Sequence, residues 1–402
     1  WDQDKLETSA DGTIGGTVTD TYIPIADGDD TLANFVPAFT ETENIIIGTV
    51  PASITTDADS NTALGINALA KSTTGSNNVA VGAYAAYSGT VSKDSVAVGY
   101  GAHRVNITGN DNVSLGYQAN YSGTKDGNVV IGYQAAVDAG PQKYTVSVGY
   151  RAGRYPQGDD NTFVGYSAGL GNASVYSAYG NTSLGRESLF SISSGDSNVA
   201  VGNQALYTLT TGQYNVVIGN NAGEDMVGAG YNVVVGRQAA KSITAGTYNV
   251  FIGQQAAYSH AGQISNTIFI GNNAGQGYVN TGIDDTYNVA VGNFSMGYIA
   301  TGSWNTALGH QSLQGVTAAG LGQGSDNVAI GARTLMYASG ANVCKYNTAV
   351  GHRAMQGASS GITGYSNTAV GRDALGSVTS AHTNVAIGNL AGYTLTTGYY
   401  NV

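Results

Sequence analysis

Asn198-Val199-Ala200-Val201-Gly202-Asn203-Gln204-Ala205-Leu206, followed by a polar turn through Thr210-Thr211-Gly212 to Tyr214, is one copy of a unit that restarts at Asn215 as Asn-Val-Val-Ile-Gly. Working outward, the same start recurs from Asn44, Asn61 and Asn78 to Asn384 and Asn401, with Ser95, Thr145 and Thr267 in place of Asn. Successive starts lie mostly 17 residues apart and stretch to 20–22 in a few intervals. A fixed period of this length marks a stacked array, so the repeat sets the fold before any local pattern does.

Within the unit, Asn-Val-Ala-Val-Gly alternates, which predicts a short strand with Val199 and Val201 on one side and Ala200 on the other. The glycine that follows (Gly65, Gly82, Gly99, Gly202, Gly219, Gly236, Gly371, Gly388) fits a corner with positive φ or a close approach to the next coil. Three residues on comes a small side chain, such as Ala68, Ala205 or Ala222, and a Thr/Ser/Gly turn closes the unit. Two short strands and two turns make one coil of a β-solenoid. Coils stacked at the strand spacing predict a rod on the order of 100 Å for residues 44–402. Helices are excluded, because a glycine in every unit costs a helix interior about 1 kcal/mol each. The expected core is thin, made of Val, Ile and Ala, so lateral association into a homotrimer with an aliphatic or alanine face turned inward is the favoured assembly.

The unit Asn-[Val/Thr]-Ala-[Val/Ile/Leu]-Gly-x-x-Ala resembles the head repeat of trimeric autotransporter adhesins, and more closely the related repeats of bacteriophage tail fibres and surface adhesins. The likeness covers residues 44–402, with a period longer than the autotransporter unit. It implies a left-handed parallel β-roll, a trimeric fibre, and an extracellular place on a virion or a bacterial surface. The implied function is a tail-fibre shaft in host-surface attachment, partnered by its own copies, other virion or cell-surface components and a host polysaccharide or receptor. A bacterial trimeric adhesin or extracellular filament is the alternative, and a polysaccharide-cutting spike a third.

Composition narrows the classes further. There are 59 glycines, one cysteine and a net charge of 15 − 26 = −11. An acidic chain without a basic cluster argues against nucleic acid or an anionic membrane as partner. No apolar run is long enough for a spanning helix. Single Cys344 allows no internal disulfide and reads as a small buried hydrophobe. Residues 1–43 hold ten of the 26 acids, one base (Lys5), and Pro24, Pro37, Phe35 and Phe39. They read as an acidic cap or connector shielding the first coil, with 44–402 as the shaft. Asp27-Gly28-Asp29-Asp30 lacks the spacing of a calcium loop and reads as a solvated turn. The start at Trp1 and the stop in mid-unit at Val402 read as cut ends.

Aromatic residues recur in register. Tyr100, Tyr117, Tyr133, Tyr150 and Tyr166 follow the glycine in five consecutive units, after which that slot turns to Arg, Asn, Gln or His. A second series, Tyr214, Tyr231, Tyr248, Tyr287 and Trp304, stands just before the strand, with Tyr346 and Tyr400 further on. Each series predicts a stripe of stacked rings that either stabilises coils or a subunit seam, or forms a platform for sugars. The repeated Asn predicts an amide ladder. Longer intervals place Gly315–Gly322 and similar stretches in loops on one side of the coil. Catalysis finds little support. Histidines 103, 260, 310, 352 and 382 are scattered, and no nucleophile elbow, P-loop or dinucleotide fingerprint stands in context. Acids of the shaft, such as Glu187, Glu224, Asp225, Asp284, Asp285 and Asp373, are sparse and do not recur on one obvious face, so no enzyme, metal or cofactor is expected.

Overall fold

The computed structural model describes residues 37–39, 44–48, 58–140, 142–155, 158–171, 177–259, 263–277, 285–298, 302–315, 324–338, 344–357 and 361–402. Among them there is no helix, and the chain is an all-β parallel solenoid with coils of about 17 residues. It divides into two compact units, Trp1–Ile131 and Gly132–Val402, each of which is built the same way.

Every coil gives one short strand. In the second unit Val199–Val201, Val216–Ile218, Val233–Val235 and Val250–Ile252 pair in parallel without slip, so Val199, Val216, Val233 and Val250 form one column. Thr62–Gly65, Val79–Val81, Val96–Val98 and Val113–Leu115 do the same in the first unit. A longer interval leaves the register intact: Thr306–Leu308 pairs with Val328–Ile330 as any other neighbours do. Most of the Gly315–Gly322 stretch between them lies outside the described residues.

The glycine side of the coil departs from the expected second strand. After Gly202 (φ 136°), every second residue is left-handed, with Gln204 at 53° and Leu206 at 51°. Such a residue other than glycine carries roughly 1–2 kcal/mol of strain. The alternation still reaches both neighbours, because Gln204 N–H donates to Arg186 O (2.9 Å) and Leu206 N–H to Ala222 O (3.0 Å). Backbone pairing therefore continues around the coil without extended geometry.

The alanine face of the strand is the inner one. The central residue points inward: Ala80, Ala97, Ala200, Ala290 and Ala307 are buried, whereas the flanking Val and Ile are half-buried or exposed. The coil is too narrow for three large side chains, and the fourth residue after the glycine already fills its middle. These two inner positions trade volume. Ala200 faces a coil with Leu206, Ala329 one with Leu335 and Ala349 one with Met355, all buried. Where the strand centre is Phe163 or Phe269, the fourth residue is Gly169 or Gly275, and a Cβ on either glycine would collide with the ring. Dense packing of a thin interior demands this exchange.

The Asn at each start runs as a buried ladder. Asn232 Nδ2 donates to Asn215 Oδ1 (3.0 Å) and to Gly246 O (3.0 Å), and its own Oδ1 accepts from Asn249 N (3.1 Å) and Nδ2 (2.9 Å). In the first unit Asn78 bonds Asn61 in the same manner. At the chain's beginning Pro37–Phe39 pairs antiparallel with Ile45–Gly48, covering the open edge of the first coil strand. Otherwise the acidic stretch 1–43, with Asp27-Gly28-Asp29-Asp30, lies outside the described residues.

Candidate functional site

The residue before each ladder Asn is left-handed in every coil where it is described, which Asn, Asp and Gly adopt readily and bulky residues do not. Tyr214, Tyr231, Tyr248, Tyr287 and Trp304 occupy that position with φ of 56–63°. Strain at exposed aromatic residues calls for a compensating contact. Ring stacking supplies it: Tyr214–Tyr231 and Tyr231–Tyr248 stack at 4.9 and 5.0 Å, and Tyr287–Trp304 at 4.1 Å. The tyrosines after the glycine stack as well, as Tyr100–Tyr117 (5.4 Å) in the first unit and as Tyr133–Tyr150–Tyr166 (5.3 and 5.0 Å) in the second. At Tyr346 the neighbour is Lys345, 5.7 Å over the ring, and Tyr400 meets Tyr399 edge-on.

Two further columns escaped the sequence reading. Phe190 stacks on Tyr207 at 4.9 Å, five residues past successive glycines. His382 lies between Tyr365 (4.8 Å) and Tyr399 (5.2 Å), two residues before successive ladder Asn. Their signal was the 17-residue offset between rings, weaker because each series is short.

Stacked rings cover one another's faces and leave edges and phenol hydroxyls toward solvent. A column interior is thus built for cohesion, and only its ends offer a ring face to a ligand. Beside the first-unit tyrosines, Arg104 lies over Tyr84 (4.7 Å), Tyr87 (5.6 Å) and Tyr121 (5.7 Å), a cation–π cluster that ties several coils together.

The outward strand positions form a second surface. In the second unit two parallel columns run through Val216, Val233, Val250 and Ile268, and through Ile218, Val235, Ile252 and Ile270. Val216 is 38% and Ile218 40% exposed, and the pattern continues to Val385 and Ile387, with Thr306, Thr348 and Thr368 taking places in the first column. About twenty such aliphatic side chains leave on the order of 1,000 Å² of apolar surface on one face, against the few hundred typical of a monomer.

Charged groups are held by neighbours. Glu224 pairs with Lys241 (3.3 Å) and accepts from Asn221 (2.7 Å), while Glu187 accepts from Gln204 and Arg186. Asp373 bridges Arg353 (2.6 Å) and Arg372 (3.1 Å), and the Arg353 hydrogen bond holds its carboxyl below the usual range. Burial raises Asp225, helped by Glu224 beside it. Among the described residues no three or more His, Cys, Asp or Glu could hold a metal ion; His260 lies outside them. Cys344 is buried, and burial pushes its thiol up to about 12, so it is unreactive while folded. His103 is the unusual case. With Asn120 it takes the inner position that Leu69 fills two coils earlier, and neither its Nε2 nor the Asn120 amide has a hydrogen-bond partner among the described residues.

Comparison of the chain with family models, with curated proteins and with solved structures returns no match.

Proposed function

We propose that the chain is a structural shaft, a fibre segment that associates with copies of itself through its aliphatic strand face and presents its opposite surfaces to a host. The observation that carries this reading is the two-column Val/Ile ribbon of the second unit, which leaves a contiguous apolar face where a self-sufficient solenoid would turn polar residues out. Burying such a face between copies gives an interface of the size stable assemblies use. The number three, the left-handed winding and the placement on a bacteriophage tail fibre follow from the resemblance of the Asn-Val-Ala-Val-Gly unit. Many coils and several copies let weak contacts add up to firm attachment. No step of catalysis is part of this reading.

Light scattering after size exclusion tests it. A mass near three times 40.9 kDa is expected for the chain. Ile218→Asp together with Ile252→Asp, on the outward columns, is expected to yield smaller species with the β-rich circular dichroism spectrum kept. A folded wild-type monomer overturns the assembly.

A further inference from the structure

The pre-strand aromatic column of the second unit is interrupted once between two stacked segments. Tyr214, Tyr231 and Tyr248 stack, and Tyr287 stacks on Trp304, but the coil between Tyr248 and Tyr287 carries Asn266 at the equivalent position. The three positions are in register: Asn266 N–H donates to Thr247 O (2.9 Å) and Tyr287 N–H to Ser265 O (3.4 Å). Asn266 has the same left-handed backbone (55°) as Tyr248 (61°) and Tyr287 (58°), so a short amide stands where a ring otherwise would.

Two coil steps separate Tyr248 from Tyr287, roughly 10 Å at the strand spacing. That this space takes one ring is shown in the adjoining coils, where Tyr231 sits 4.9 Å from Tyr214 and 5.0 Å from Tyr248. Of the two rings that end their stacks here, Tyr248 is 59% and Tyr287 45% exposed, so both reach solvent. The segment leading to the aromatic position is paired here as well, Ile264–Ser265 with Asp285–Thr286, continuing the bridges Gly230–Thr247 and Ala245–Gln263 of the coils before.

The geometry points to a binding slot for one pyranose ring of a neutral oligosaccharide, sandwiched between Tyr248 and Tyr287 over Asn266. A hexopyranose has apolar C–H faces and a hydroxyl rim. Two facing phenol rings match the faces, and the Asn266 amide, which both donates and accepts, meets the rim at the floor. A few polar groups placed around an apolar contact are what fixes a small ligand's orientation. The slot deepens the attachment reading by naming a ligand class and its place, although its geometry stands without self-association.

Isothermal titration calorimetry of the full chain with hexasaccharides of glucose, mannose and galactose tests it, alongside Asn266→Tyr and Tyr248→Ala. Expected is saturable binding of at least one hexasaccharide, weakened at least tenfold by either substitution. Asn266→Tyr, which completes the column, is expected to keep or raise the melting temperature, so its loss of binding is not loss of fold. Absence of binding to all three sugars, or equal binding by wild type and Asn266→Tyr, overturns the slot. Adenosine bound in place of every sugar overturns the ligand class. The masses of the same samples separate the two readings: sugar binding by a monomer removes the fibre alone, and a trimer that binds none removes the slot alone.

Discussion

At the scale of single residues, the repeat rests on Asn and Gly for different reasons. Asn232 is held because its four hydrogen bonds join three successive coils in a dry interior, where an orphaned polar group costs roughly 1–3 kcal/mol. Gly219 is held by space and by backbone shape together. Its φ is 144°, and a Cβ would lie 2.6 Å from the Gly236 carbonyl carbon and closer still to its oxygen. Gly180 is also left-handed, with φ of 63°, yet the nearest atom to its Cβ would be Ser197 Oγ at 3.6 Å. Gly219→Ala is therefore expected to cost more than about 3 kcal/mol, and Gly180→Ala only the backbone strain of about 1–2 kcal/mol. Amide hydrogen exchange in the flanking coils reads the difference; equal effects would mean that close stacking contributes nothing. Both residue types were legible in the sequence because nearly every coil repeats them. His103 was not, since one polar residue in an inner position leaves no periodic trace.

At the scale of the coil, periodicity told that the strand has two faces but not which one is inside. Val is more apolar than Ala, and hydropathy alone places Val199 and Val201 within. The cross-section decides otherwise, because Leu206 already occupies the middle and only Ala200 fits beside it. The volume exchange of Phe163 with Gly169 and Phe269 with Gly275 was written in the sequence, six residues apart, and becomes readable only once those positions are known to meet. It yields a double-mutant test. Ala200→Phe alone is expected to destabilise by about 1–3 kcal/mol through overpacking. Adding Leu206→Gly is expected to restore at least about 1 kcal/mol, in thermal or denaturant melts. A second test uses His103, whose burial pushes the imidazole from its ordinary 6.5 down to about 4. Between those values the unfolded chain takes up a proton that the folded chain refuses, so this contribution is whole above pH 6.5 and shrinks as pH falls. The loss amounts to about 3 kcal/mol by pH 4. His103→Leu, placing there the residue found at Leu69, is expected to flatten that part of the stability–pH curve. An unchanged slope would show that His103 is hydrated in solution.

At the scale of the whole molecule, an acidic chain of net charge −11 holds some of its charges in local pairs, such as Glu224–Lys241 and Asp373–Arg353, and puts an aliphatic ribbon on the outside. Long-range repulsion between copies is spread thinly and screened beyond roughly 8 Å at physiological salt, so apolar contact decides association. The Ile218→Asp and Ile252→Asp pair probes this scale, as it leaves every inner position untouched. The Asn ladder adds a property that no single coil has, which is direction. In each unit the earlier Asn offers its Oδ1 and the later one brings N–H and Nδ2, as from Asn61 to Asn78 and from Asn198 to Asn215. A ribosome releases the earlier partner first. The Oδ1 acceptor of each rung is therefore made before the donors some 17 residues behind it, and the order of synthesis is also an order in which the ladder is able to close.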